Sequence, residues 1–129
     1  MTVGEIYTAV LAKLGESFDV EDNKDYEERF PYIVGDFCRI AKEPDDKYRR
    51  AHSLEKRAPS AMVYLKPEHE FPLCDAFISP AILYIASELV QYENESLGEK
   101  FNADWISLMT EIEMGLPATV EKISERYSF

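Results

Sequence analysis

The sequence predicts a mainly α fold: a small bundle of four to five helices with one short extended or β-hairpin segment near residues 61–71. Three observations predict it. Apolar residues recur at three- and four-residue spacing in four separate stretches, as in helices that bury one face. Capping and stopping residues stand at the ends of those stretches. One short run, Ala61-Met62-Val63-Tyr64-Leu65, carries instead the β-branched and aromatic content of a strand.

Thr2 and Glu5 have the spacing of a capping box, in which each side chain satisfies an orphan backbone N–H of a first helical turn. Val3, Ile6, Tyr7, Val10, Leu11 and Leu14 follow as a stripe, and Gly15 is a natural stop, so a first helix is predicted over 3–14. Residues 16–25 are acidic and loop-like. Tyr26, Phe30, Ile33, Val34, Phe37, Cys38 and Ala41 restart the helical period over 26–42. Pro31 falls inside that run, removing a backbone donor and crowding the preceding turn. Either the helix kinks there or a short helix ends near Arg29 and a second begins. Pro44 is expected to end the segment, and Asp45 to cap a further short helix through Arg50.

Residues 61–65 read as a strand, Pro67 and Glu68 as a turn, and His69-Glu70-Phe71 as a return strand. A two-stranded hairpin alone is marginal in water. The segment should therefore either pack on the helices or add to a neighbouring sheet; its isolation suggests that it projects from the helical body and pairs in trans through Met62 and Tyr64, since a free edge templates another chain's strand. Asp75 is placed to cap a turn, and Ser79-Pro80 reads as an N-cap followed by proline at the first helical position. Ala81, Ile82, Ile85, Ala86, Leu89 and Val90 form the stripe of a helix over 80–92. After the break at Glu93-Asn94-Glu95-Ser96, Leu97, Phe101, Trp105, Leu108, Met109 and Ile112 form another over 96–114, with Phe101 and Trp105 expected in the core. The remainder, 116–129, reads as a C-terminal tail. Its Val120, Ile123 and Tyr127 would share one helical face and serve either as a docking surface or as a flap on the body.

At 129 residues the chain reads as one domain, 1–129, large enough to bury roughly two-thirds of its unfolded surface. Its 46% hydrophobic and 30% charged content argues against disorder of the whole. The net charge of -11 is unevenly spread: residues 1–42 carry -4, residues 43–57 carry +1, and residues 58–129 carry -8. Such a balance repels nucleic acid phosphates and anionic membrane surfaces alike. No basic region precedes an apolar run near Met1, and no apolar stretch approaches the roughly 20 residues of a bilayer span. A cytoplasmic location is therefore expected.

Little in the sequence promises chemistry. Cys38 and Cys74 are too few for a disulfide framework and read as buried free thiols. Glu68-His69-Glu70 reads as a solvated turn, because on a strand its carboxylates and imidazole would face opposite ways. His52 has no ligand-type neighbour at metal spacing. The adjacent pairs Glu27-Glu28 and Asp45-Asp46 diverge on a helix and read as solvated charge. No dinucleotide, Walker or nucleophile-elbow motif occurs. Neither catalytic residues nor a cofactor or metal are expected. Lys47, Arg49, Arg50, Lys56 and Arg57 make the only basic cluster. They either meet an acidic patch on a neighbouring copy or partner, or balance nearby acids.

The order of segments resembles a family of tailed-phage and prophage head–tail connector (adaptor, head-completion) proteins. The resemblance covers the opening helix, Tyr26-Glu27-Glu28-Arg29-Phe30-Pro31-Tyr32-Ile33, and the extended piece followed by Phe71-Pro72-Leu73-Cys74-Asp75-Ala76. It continues through the helix from Pro80 to Gln91, the ENESLGEKF bend into the Trp105 helix, and Pro117-Ala118-Thr119-Val120. It implies a non-enzymatic subunit that assembles with copies of itself in a ring beneath the portal. Portal and tail-side connector proteins would be its partners, with DNA passing through without specific binding. It implies the host cytoplasm during assembly and the virion afterwards. The competing expectation is a small cytoplasmic helical adaptor or regulatory protein that binds a cellular partner.

Overall fold

In the computed structural model, which describes residues 1–15, 24–58 and 62–116, the chain is mainly helical. Helix α1 runs Val3–Leu14, α2 Lys24–Ile40, α3 Lys42–Ala51, α4 Ile78–Val90 and α5 Glu95–Met114, with a 3₁₀ turn at Asp75–Phe77 before α4. No sheet forms among the described residues.

α1 has the boundaries that its stripe and caps predict. Its N-terminus leaves no orphan donor. The Thr2 hydroxyl accepts from the Glu5 amide at 3.2 Å, and the Glu5 carboxylate accepts from the Thr2 amide at 3.0 Å. The Val3 and Gly4 amides donate to the carbonyls of His69 and Pro67, each at 2.9 Å. That hydrogen bonding draws the Glu5 carboxyl below the usual carboxylate range. At the other end Gly15 takes φ 73°, a left-handed conformation that suits glycine.

α2 passes through Pro31 as one helix, so the expected break near Arg29 with a second helix after it does not occur. Pro31 and its neighbours Phe30, Ile33, Val34, Phe37 and Cys38 are buried, and that packing holds the helix across the missing donor. Tyr7 and Phe30 join α1 to α2 with ring centroids 4.7 Å apart. Pro44 does not end the segment. It lies in the first turn of α3, where a backbone donor would have no intrahelical acceptor. Asp45 is accordingly not a cap; it lies one turn inside α3 and is fully buried.

The 62–71 segment packs on the helices, one of its two expected outcomes, and does not project. Met62, Leu65 and Phe71 are buried. The Leu65 amide donates to the Pro31 carbonyl at 3.1 Å, the Phe71 amide to the Met1 carbonyl at 3.0 Å, and Thr2 and Glu70 form one isolated antiparallel bridge. Backbone groups that a hairpin would pair with each other are paired with the N-terminus of α1 and the middle of α2. The helices supply both the partners and the apolar cover that two short strands lack.

α4 starts two residues earlier than its Ser79-Pro80 signal, so Pro80 falls in the first turn and Ser79 caps nothing. Asp75 likewise opens the 3₁₀ turn without capping it. α4 is the central helix, packing against α5, α1 and α2. It lies antiparallel to α5: the buried Ser87 hydroxyl donates to the Gly98 carbonyl at 2.8 Å, and Tyr84 meets Trp105 edge-on further along. Asn94 caps α5 by accepting from the Leu97 amide. Phe101 is in the core as expected, while Trp105 is only partly buried against it. Leu116 is buried, and the expectations for 117–129, Val120, Ile123 and Tyr127 among them, lie outside the described residues.

Candidate interaction surface

The most organised polar feature of the molecule surrounds Asp45. Its carboxylate accepts from Arg49 Nε at 2.9 Å, from Arg57 Nη1, and from the Cys74 amide at 2.8 Å. Arg49 extends the network, donating from Nη1 to the Glu55 carbonyl at 3.0 Å and from Nη2 to the Pro72 carbonyl at 3.1 Å. Arg57 also reaches Asp46, with Nη2 3.1 Å from Oδ1. Three separate stretches (α3, residues 55–57 and residues 72–74) are thus tied to one carboxylate. A buried charge of this kind is tolerated only because each of its oxygens is met by a donor.

The expectation that Asp45 is solvated surface charge is therefore corrected. Asp45 and Arg49 stand four residues apart, one helical turn, and the tertiary fold adds Arg57 and the Cys74 amide to that local pair. Within the basic cluster, the network divides the roles. Arg49 and Arg57 balance acids, and Lys47 lies 3.8 Å from Glu43. Arg50 and Lys56 are exposed, and with Lys42 they make no ion pair among the described residues.

These side chains border a hollow of about 510 Å³ lined by Lys42, Asp46, Arg49, Arg50, Leu54, Lys56, Arg57, Ala58 and Met62. Five cations against one carboxylate line it, on a chain of net charge -11. Leu54, Ala58 and the buried Met62 give its lining an apolar part. Met62, expected as an exposed edge residue, contributes its backbone elsewhere: its carbonyl accepts from Arg39 Nη1 at 2.7 Å. Tyr64 does remain exposed, stacked edge-on against Tyr32 with centroids 4.9 Å apart. Tyr32, Val63 and Tyr64 leave an apolar strip in solvent, and Ile40, also exposed, lies two turns along α2 beyond the Asp36–Arg39 ion pair.

The thiols beside this region are poor nucleophiles. Burial pushes the Cys38 thiol up to about 12, and Arg57 and Arg39 only partly offset it. Burial, and then the hydrogen bond and charge of Asp45, push Cys74 up to about 11. Cys38 is buried as expected, whereas Cys74 is half-buried. The Glu68-His69-Glu70 turn is exposed, with His69 Nδ1 accepting from the Lys66 amide, and His52 is an exposed residue stacked on Tyr48. Among the described residues, no cluster of His, Cys, Asp or Glu side chains could hold a metal ion, and no helix is long and apolar enough to cross a membrane.

Sequence reasoning missed Lys42 as part of the basic surface and Gly35 as the point where the 62–65 segment crosses α2. A lone glycine in a buried helical stripe is the signal that marks such a crossing. Comparison with protein-family models, with curated proteins and with solved structures finds no match for this chain.

Proposed function

We propose that this chain is a structural, non-enzymatic head–tail connector subunit of a phage or prophage, assembling with copies of itself in a ring. In that setting it lies between the portal and a tail-side connector protein, and DNA passes through the ring without specific binding. The order of segments that resembles the connector family supports this reading. The observation that carries it is the surface beside α2 and α3. An aromatic and aliphatic strip, with Tyr32 55% and Val63 56% exposed, accompanies a basic hollow on a strongly acidic chain. Apolar groups left in solvent next to unpaired cations form a surface built for association. A wall with few fixed cations elsewhere suits a channel that must release DNA.

Light scattering after gel filtration, with electron microscopy of the concentrated protein and of its mixture with a phage portal protein, tests the reading. Closed rings, alone or on the portal, are expected. A stable monomer or dimer that ignores the portal overturns it in favour of an adaptor for a cellular partner.

A further inference from the structure

The basic hollow lies at the C-terminal end of α2, where Lys42 begins α3. An acidic bend lies at the other end. Tyr26 donates from its hydroxyl to Glu93 Oε2 at 2.7 Å, and Arg29 donates to the Glu88 carbonyl at 2.8 Å, so the α4–α5 bend is tied to the N-terminal turns of α2. Those turns and the start of α3 are separated by a 17-residue helix, roughly 25 Å at 1.5 Å per residue. The stretch 86–99 carries Glu88, Glu93, Glu95 and Glu99 and no basic residue. From it Tyr92 stands 83% exposed, the largest exposure of any large hydrophobic side chain among the described residues, with Arg29 5.8 Å from its ring centroid.

We infer that the hollow at α3 receives the α4–α5 bend of a second copy of this chain, with Tyr92 against its apolar lining residues and Glu93 and Glu95 facing Arg50, Lys56 and Lys42. The two surfaces match in chemistry. A phenol ring flanked by carboxylates meets a lining of apolar, ammonium and guanidinium groups, and an aromatic anchor among charged pairs is the usual form of a strong contact. The hollow already holds one carboxylate, that of Asp46, against Arg57. The three lining cations that make no ion pair among the described residues are the ones left to meet carboxylates from outside. Because the two surfaces differ and lie at opposite ends of one helix, a head-to-tail union leaves each added copy presenting a fresh hollow and a fresh bend, whereas a reciprocal union closes as a two-fold dimer. The ring reading takes the head-to-tail form, which closes into a ring or runs on as a filament. The inference deepens the ring reading and names the contact that would build it.

Sedimentation velocity on charge-reversed variants tests it. Lys42→Glu, Arg50→Glu and Lys56→Glu together make the hollow net acidic like the bend; Glu93→Lys, Glu95→Lys and Glu99→Lys together make the bend net basic like the hollow. All six residues are exposed; unchanged circular dichroism confirms folding, with no more loss in melting than the Tyr26 hydrogen bond that Glu93→Lys gives up. Each variant alone is expected to associate about a hundredfold more weakly than the original chain, while their equimolar mixture associates again as an alternating assembly. Tyr92→Ala is expected to weaken association without reversing any charge. Raising salt from about 0.05 M to about 0.5 M weakens the contact, since its charges lie at a solvated rim. A mixture that fails to associate overturns the inference, as does an original chain that stays monomeric at every concentration. Rings that persist in both reversed variants keep the ring reading and overturn this contact. An open chain that both reversals abolish keeps the contact and overturns the ring.

Discussion

The carbonyl oxygen of Val63 lies over Gly35, only 2.5 Å from where a Cβ on that residue would stand. Helix α2 and the extended segment cross there at backbone distance, and the Leu65–Pro31 hydrogen bond fastens the crossing one turn away. Gly35→Ala is expected to destabilise the protein by about 2 kcal/mol. Alanine's better helix propensity, worth about 1 kcal/mol, is outweighed by an overpacking cost of about 1–3 kcal/mol and the loosened segment. Denaturant unfolding measures it, and an unchanged or raised midpoint would show that the segment can lift off freely.

Removing the Asp45 carboxylate leaves two largely buried guanidiniums facing each other. Asp45→Ala is expected to cost about 3 kcal/mol, the low end of the range for breaking a buried pair, because Arg49 and Arg57 keep some access to water. Asp45→Asn should recover part of the loss by accepting from the Cys74 amide. A cost under about 1 kcal/mol in thermal or chemical unfolding would mean that Asp46 takes over both arginines.

The two thiols should separate by reactivity and by pH. In a thiol-exchange assay near neutral pH, Cys74 is expected to react slowly and Cys38 only as the protein unfolds. Cys38 has a folded pKa of about 12 against an ordinary value of 9.0. The folded state therefore holds the proton more tightly, and the stability this confers is complete below about pH 9 and is lost as pH rises toward 12. Stability measured across that window should fall less steeply in Cys38→Ala. Equal slopes would mean that Cys38 ionises as readily folded as unfolded.

Trp105, the sole tryptophan, meets Tyr84 and Phe37 edge-on and donates from Nε1 to Asn102 at 2.8 Å. Trp105→Ala is expected to cost about 2 kcal/mol, below the about 3–5 kcal/mol of a fully buried ring. The unfolding midpoint checks it, and a loss under about 1 kcal/mol would place the ring outside the packed body.

Much of the helical body was legible. The Thr2–Glu5 box, the Gly15 stop and the stripes through Val34, Ile85 and Met109 act within one or two turns, where spacing alone decides the outcome. Non-local events were not. Pro44 reads as a stop until α3 is seen to begin at Lys42, and Asp45 reads as surface charge until Arg57 and the Cys74 amide are brought to it from 12 and 29 residues away. Glu113, fully buried at the end of α5, had no mark distinguishing it from the exposed Glu111. The 61–65 run reads as a strand, but among the described residues 62–65 form none, and what their backbone pairs with depends on α1 and α2 already being in place. The basic cluster was visible as composition; its division into Arg49 and Arg57 turned inward and Arg50 and Lys56 turned outward was not.

The acceptors for Val3 and Gly4 lie at His69 and Pro67, and this bears on the order in which the chain can fold. During synthesis α1 emerges first, yet two donors of its opening turn have no protein partner until more than sixty further residues have been added. At about 5–20 residues per second that is a wait of seconds, long against the microsecond scale of helix formation. Closure of the contact between α1 and the 67–71 turn, made across more than sixty residues, is therefore expected to follow formation of the local helices. Amide exchange at Val3 and Gly4 should report that step directly, gaining protection after the amides of α4 and α5 in a pulse-labelled refolding experiment.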